Sequence, residues 1–286
     1  MSQKITFIIP ARNNKQYLQL AYTSIRNLKT THDVLVLDDA STDGTAEWVK
    51  EQNDNDLYLY RNDGPERKGI ARMFDTGVKM SKTEAFMAFH ADMVVNEGFD
   101  EAILKHLEPG VIVSATRVEP DLHPPGPEKI RVTHLGTEVD EFSFEEWYEY
   151  ARRMVSQYTD PYGVHKTTEG IFAPWCMYKE DFLKVGGHDL LFAPQSKEDS
   201  DIFNRFQLQG YRFIQSWEAF VYHFTCRGSR FSPTAGGATG QNSPEWIETT
   251  LKGMRNFYRK WGHAVLHDNF MKPIIPNKYD IGLYID

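Results

Sequence analysis

The stretch Glu84-Ala85-Phe86-Met87-Ala88-Phe89-His90-Ala91-Asp92 sets an imidazole and a carboxylate directly after a short apolar run. A run of that length reads as a strand buried on both faces, as in the middle of a parallel sheet. Open α/β sheets take ligands at the carboxyl ends of their strands, so Asp92 is a candidate ligand for a divalent metal beside a phosphate. Turn formation or helix capping would also account for an aspartate there. Other chemistry-bearing residues stand at comparable places. Arg12 follows the apolar residues 5–9, Asp38-Asp39 follow residues 34–37, and Glu198-Asp199 open a helical pattern. His223 ends an apolar run, and Lys68 and Arg72 flank a glycine-marked turn.

The elements that must hold these residues can be read from periodicity. Residues 5–9 form a strand ended by Pro10, and Asn13 or Asn14 caps a helix with Leu18, Ala21, Tyr22, Ile25 and Leu28 on one face. A second strand at 34–37, a helix carrying Ala46, Trp48 and Val49, and a third strand at 57–60 follow. Gly64-Pro65 turns, and Arg67-Lys68-Gly69 lead into a helix through Phe74 and Val78. Strands alternating with helices imply right-handed crossovers and a mostly parallel sheet, so residues 1–95 read as a nucleotide-binding α/β half.

Residues 96–242 are less regular. They read as a helix at 99–107, a strand at 111–113, a proline-rich loop at 119–129 and a helix opened by Ser143 and Glu146 in capping-box spacing. That helix carries an apolar stripe through Trp147, Tyr150, Met154 and Tyr158, read as core packing. A helix at 198–209, two strands at 211–214 and 219–223, and a Gly/Ser-rich loop at 227–242, expected to be mobile, complete this part. The last part, 243–286, opens with a helix capped by Ser243-Pro244. Its Trp246, Ile247, Leu251, Met254, Phe257, Tyr258 and Trp261 are expected to pack on the body, while Lys252, Arg255, Arg259 and Lys260 leave a membrane surface as the alternative.

A chain of 286 residues can build one large domain, and one domain is expected. A net charge of −8 argues against a general nucleic-acid binder, which needs a basic face. Two cysteines make no disulfide framework, no apolar run reaches the roughly 20 residues of a membrane span, and residues 5–9 are too short for a signal peptide. The expected compartment is the cytoplasm.

Taken in order, Ile8-Ile9-Pro10-Ala11-Arg12-Asn13, Leu37-Asp38-Asp39-Ala40-Ser41, His90-Ala91-Asp92, Gly186-Gly187-His188-Asp189, Glu198-Asp199-Ser200-Asp201 and Val221-Tyr222-His223 form a series. This series resembles the family-2-like glycosyltransferases of the inverting GT-A fold. The resemblance implies transfer of a hexose from a nucleotide sugar, with UDP as the expected nucleotide, to a hydroxyl of a glycan-type acceptor. It implies a divalent metal, Mn²⁺ or Mg²⁺, on the diphosphate, held by Asp92 and His223. Pro10, Ala11, Arg12, Asp39, Lys68, Arg72 and Ala91 fall at nucleotide-contacting positions, with Asp39 accepting the uracil N3–H. Asp199 falls at the general base, and His90, Trp175, Gly187 and Glu198 along the sugar and acceptor wall. His90 stands where the family has an aspartate, and Asp75 where it has an asparagine. Two other readings remain open here. One is a catalytically silent sugar-nucleotide-binding or scaffold protein. The other is a sugar nucleotidyltransferase, which should carry a glycine-rich basic loop in place of Pro10-Ala11-Arg12-Asn13.

Overall fold

A computed structural model describes residues 3–157, 166–227 and 242–276. The N-terminal alternation is present as read: β1 (Thr6–Ala11), α1 (Lys15–Arg26), β2 (Asp33–Asp39), α2 (Thr45–Glu51), β3 (Leu57–Asn62), α3 (Ile70–Met80) and β4 (Ala85–Ala88). Then come β5 (Met93–Val95), α4 (Phe99–Leu104), β6 (Val111–Pro120), β7 (Lys129–Val132), α5 (Phe144–Gln157) and β8 (Thr167–Thr168). The described chain closes with β9 (Trp175–Tyr178), α6 (Lys179–Val185), α7 (Glu198–Leu208), β10 (Arg212–His223) and α8 (Pro244–Trp261).

One sheet runs through all of these parts in the order β3-β2-β1-β4-β9-β6-β10-β5, with β7 beside β6 and β8 beside β10. β1 to β4 pair in parallel, as crossover helices require. Beyond β4 the sheet is mixed, because β9 runs antiparallel to β4 and β6, and β5 antiparallel to β10. The expected mostly parallel sheet therefore holds for its N-terminal half.

Three expectations change. Residues 211–214 and 219–223 belong to one strand, β10, whose register against β6 shifts between Ser216 and Phe220. A bulge there accommodates the extra residues and breaks the alternation that reads as two strands. The proline-rich segment is loop only in its middle, since β6 continues to Pro120 and β7 begins at Lys129. The apolar stripe of α8 is divided. Phe257 is buried, whereas Ile247, Leu251, Met254 and Tyr258 face outward. Residues 228–241, most of the expected loop, and Tyr158 lie outside the described residues.

Two apolar clusters hold the sheet. The larger surrounds Phe7, Ile9, Leu35, Phe86, Met87 and Trp175, and the smaller joins Trp147 on α5 to Trp217, Phe220 and Tyr222 on β10. No helix among the described residues is long and apolar enough to cross a membrane.

Candidate functional site

The apolar run through Phe89 is fully buried and stops where the chain turns at His90. β5 starts at once after Asp92 and pairs with the end of β10, setting Met93 opposite His223. The Asp92 carbonyl accepts the Phe224 N–H at 3.0 Å, which locks the two segments together. This pairing carries His223 to the earlier motif across 130 residues of sequence. Ligating atoms of His90, Asp92 and His223 all lie within 4.8 Å of one another, and His223 Nε2 is 3.6 Å from Asp92 Oδ1.

The donor chemistry of this triad fits a divalent cation. One carboxylate and two imidazoles converge, and burial, opposed by the Asp92 charge, holds His90 below the ordinary histidine range, in the neutral form that can ligate. Two imidazole nitrogens favour Mn²⁺ over Mg²⁺, whose preferred ligands are oxygens. His90, expected along the sugar wall, thus belongs with Asp92 and His223.

A second group of residues lines a cleft at the ends of β1 and β2. Pro10, Ala11, Arg12, Asp39, Arg67, Gly69 and Gln195 face it. Asp38 points the other way and accepts the Ser41 N–H at 2.9 Å, shaping the turn. Asp39 Oδ1 accepts from Asn62 Nδ2 and from the Lys68 N–H, both at 2.8 Å, and Oδ2 from the Gly69 N–H at 2.8 Å. The buried Nε atoms of Arg12 and Arg67 have no hydrogen-bond partner among the described residues. Burial, and then the neighbouring Arg12 charge, lower the Arg67 pKa. Arg67 also meets Glu245 Oε1 on α8 at 3.6 Å, and two guanidiniums lining one cleft suit an anion or a planar acceptor-rich group.

Lys68 and Arg72 are corrected here. The Lys68 ammonium reaches Tyr60 Oη at 2.5 Å and lies over that ring, so only its backbone serves the cleft. Arg72 is exposed on α3 and lines no part of the cleft. Arg67, one residue earlier, lines the cleft instead. Ala91 is buried between His90 and Asp92 and is likewise outside the cleft.

Asp199 and Glu198 open α7. The two residues before them, Ser196 and Lys197, hold φ of +80° and +75°, values unfavourable for side-chain-bearing residues. α8 braces this strained turn, with Gly253 so close that a Cβ there would stand 2.5 Å from the Ser196 carbonyl oxygen. Asp201 ties the same helices together, accepting from Arg205 Nε at 3.0 Å and Trp261 Nε1 at 2.9 Å and pairing with Lys260. Asp199 is partly exposed, and its charge is felt at His90, which places both groups in one electrostatic neighbourhood. Glu198 is buried. Burial first, and the Asp199 charge second, push its carboxyl above the ordinary range.

Trp175 and Gly187 have other work. Trp175 is 2% exposed and packs edge-on against Phe86, Phe203 and Phe206, so it is core. Gly187, at φ +70°, lies against Asp75, whose carboxylate accepts the His188 N–H and meets His188 Nδ1 at 2.8 Å. Asp75 thereby anchors the Gly186-Gly187-His188 turn.

A family model described as glycosyl transferase family 2 matches residues 6–172, more than half of the chain. Among solved structures, a crystal structure of GalNAc-T7 with UDP, GalNAc and Mn²⁺ superposes with a TM-score of 0.56 at 13% identity, covering 78% of this chain and 44% of that one. The chain thus spans less than half the length of that neighbour, and the likeness is one of fold. No curated protein matches. The family match establishes that the chain belongs to glycosyl transferase family 2, and the mixed α/β architecture shared with that neighbour is the GT-A fold.

Proposed function

We propose that this enzyme transfers a hexose from a UDP-sugar to a hydroxyl of a glycan-type acceptor with inversion. The observation that carries the reading is the His90-Asp92-His223 triad, which stands at the carboxyl ends of β4 and β10, the same edge of the sheet on which β1 and β2 end at the Arg12/Asp39/Arg67 cleft. The solved neighbour was crystallised with UDP, GalNAc and Mn²⁺, which supports the same ligand class here.

In this reading the cleft takes the nucleotide. Asp39 uses three of its roughly four acceptor positions on the protein and keeps one for a base N–H. Arg12 and Arg67 supply positive charge. His90, Asp92 and His223 would hold a divalent cation, which neutralises charge developing on the departing diphosphate. Asp199 takes the proton from the acceptor hydroxyl, which attacks the anomeric carbon from the face opposite the leaving group. Residues 1–95 serve the donor and 96–242 the acceptor within one domain, and α8, which opens the part 243–286, braces the turn before Asp199. The cytoplasm is its proposed compartment, in keeping with only two cysteines in 286 residues.

The test is calorimetric titration of UDP and GDP, each with Mn²⁺ or with chelator, into wild type and Asp92→Ala. Metal-dependent binding of UDP that disappears in Asp92→Ala supports the donor site and opens a screen of UDP-sugars. Binding of neither nucleotide in the presence of Mn²⁺ overturns it.

A further inference from the structure

We infer that Glu119 is a positioning residue that fixes the tautomer of His223, so that the imidazole presents a bare Nε2 to the site it shares with Asp92 and His90. The inference rests on the metal-site reading above. β6 and β10 run parallel with Tyr222 opposite Val118, which brings Glu119 beside His223. Glu119 is 1% exposed, and its Oε1 lies 2.8 Å from His223 Nδ1. Two cations hold the same carboxylate: Arg117 donates to Oε1 at 3.0 Å and Lys129 to Oε2 at 2.8 Å. Arg117 is itself clamped over the Phe172 ring, 3.8 Å from its centroid. So enclosed, Glu119 stays ionised and can only accept, which obliges His223 Nδ1 to carry the hydrogen. The lone pair is then on Nε2, the nitrogen 3.6 Å from Asp92. A carboxylate behind a ligating histidine both aims the ring and raises its basicity.

If Glu119 served only to balance Arg117 and Lys129, it would have no hold on the tautomer, and nitrogen spectroscopy separates the two roles. In metal-free protein labelled with ¹⁵N-histidine near pH 8, above the ordinary histidine pKa of about 6.5, the His223 signals are assigned by their loss in His223→Gln. Expected is a protonated Nδ1 and an unprotonated Nε2; the opposite tautomer overturns the inference. Mn²⁺ affinity read by electron paramagnetic resonance gives the second arm. Glu119→Gln should lose roughly 10- to 100-fold, and Glu119→Asp, which keeps the charge, should lose less. Wild type that binds Mn²⁺ no better than Glu119→Gln overturns the inference and leaves the metal reading standing. Wild type that binds no Mn²⁺ overturns both. Should Glu119→Gln fail to fold, the wild-type tautomer decides alone.

α8 carries a face that the donor site does not use. Ile247, Leu251, Met254 and Tyr258, spaced four, three and four apart, are 46%, 52%, 50% and 58% exposed. Beside this stripe an open groove of about 570 Å³ joins Met254, Tyr258 and Ala264 to Lys197, Arg255 and Arg259, and no carboxylate among the described residues lines it. Among the described residues the ion pairs of α8 engage Glu245 and Lys260 instead, and Arg255 and Arg259 are exposed. The protein as a whole carries −8, so this cationic, apolar face is a local exception. We propose that α8 rests on an anionic lipid surface, its stripe in the headgroup layer and its cations against the lipid phosphates.

Flotation with vesicles of phosphatidylcholine, alone or mixed with phosphatidylglycerol, tests this. Expected is binding to the mixed vesicles, lost both in Arg255→Glu/Arg259→Glu and in Leu251→Glu/Met254→Glu. Absence of binding to either vesicle, or binding that survives the Leu251/Met254 pair, overturns the proposal. A dimer in solution that the same pair dissociates assigns the stripe to a second copy of the chain and also overturns it.

Discussion

Asp39 holds the start of α3 by its backbone: its Oδ2 accepts the Gly69 N–H at 2.8 Å, joining the end of β2 to the helix that follows β3. Gly69 can serve there because it has no Cβ. At φ +84° an added Cβ would stand 2.1 Å from the Pro194 carbonyl oxygen, which also accepts the Ile70 N–H. The floor of the cleft, the loop before α7 and α3 are therefore one fitted unit. Asp39→Ala leaves three donors without their acceptor, at about 1–3 kcal/mol for each buried group left unpaired. It should lower the melting temperature and weaken UDP by tenfold or more, about 1.4 kcal/mol. Calorimetry with thermal unfolding checks both. Unchanged UDP affinity in a destabilised variant would confine Asp39 to structure.

Arg67 and Lys68 make a sharper comparison, being neighbours in sequence that face different surroundings. Arg67→Ala and Arg12→Ala each remove a charge-assisted donor of about 1.5–3 kcal/mol, so UDP affinity should fall roughly tenfold or more in either. Lys68→Ala, whose ammonium is spent on Tyr60, should stay within about twofold. Equal losses in all three would mean that the cleft reads only total positive charge.

That pair also shows where the sequence was readable and where it was not. The strand ends at Asp39 and Asp92 were legible, because an apolar run that stops at an acid is a local pattern. So was the helix that Glu198-Asp199 open, a matter of helical spacing. The choice of Arg67 over Lys68 depends on which way a loop residue points, and neighbouring loop residues carry no periodicity to decide it. Glu119 was hidden by the prolines around it, which read as loop although β6 runs through to Pro120. Trp175 sits in a four-residue strand, too short to show alternation, and its aromatic partners come from β4, α6 and α7. Truncating it to alanine should cost about 3–5 kcal/mol of stability, as for a fully packed core tryptophan.

Glu198 should make stability depend on pH in an unusual direction. Its carboxyl is pushed above the ordinary value of 4.5 by burial and by Asp199, so the folded state holds a proton that the unfolded chain releases. Stability is then greatest below about 4.5 as far as this group is concerned, and declines as pH rises from there toward the raised folded value. Glu198→Gln, which cannot ionise, should show a smaller fall in urea midpoint between pH 5 and pH 8 than wild type. Parallel falls in the two proteins would remove Glu198 as the cause.

Asp199 is the residue on which the proposed chemistry turns. It is the second residue of α7, partly exposed, and held by a strained turn that α8 buttresses from behind. A general base must meet the acceptor hydroxyl without being needed to bind the nucleotide, so Asp199→Asn should separate the two functions. Turnover of the UDP-sugar should fall by about 10²–10⁴, the usual contribution of a positioned base, while the Kd for UDP with Mn²⁺ stays within about twofold. Asp92→Ala should do the reverse and lose nucleotide binding first. If Asp199→Asn retains turnover, the proton goes elsewhere, and Glu198, raised into the range where a carboxyl can exchange protons near neutrality, is the group to substitute next.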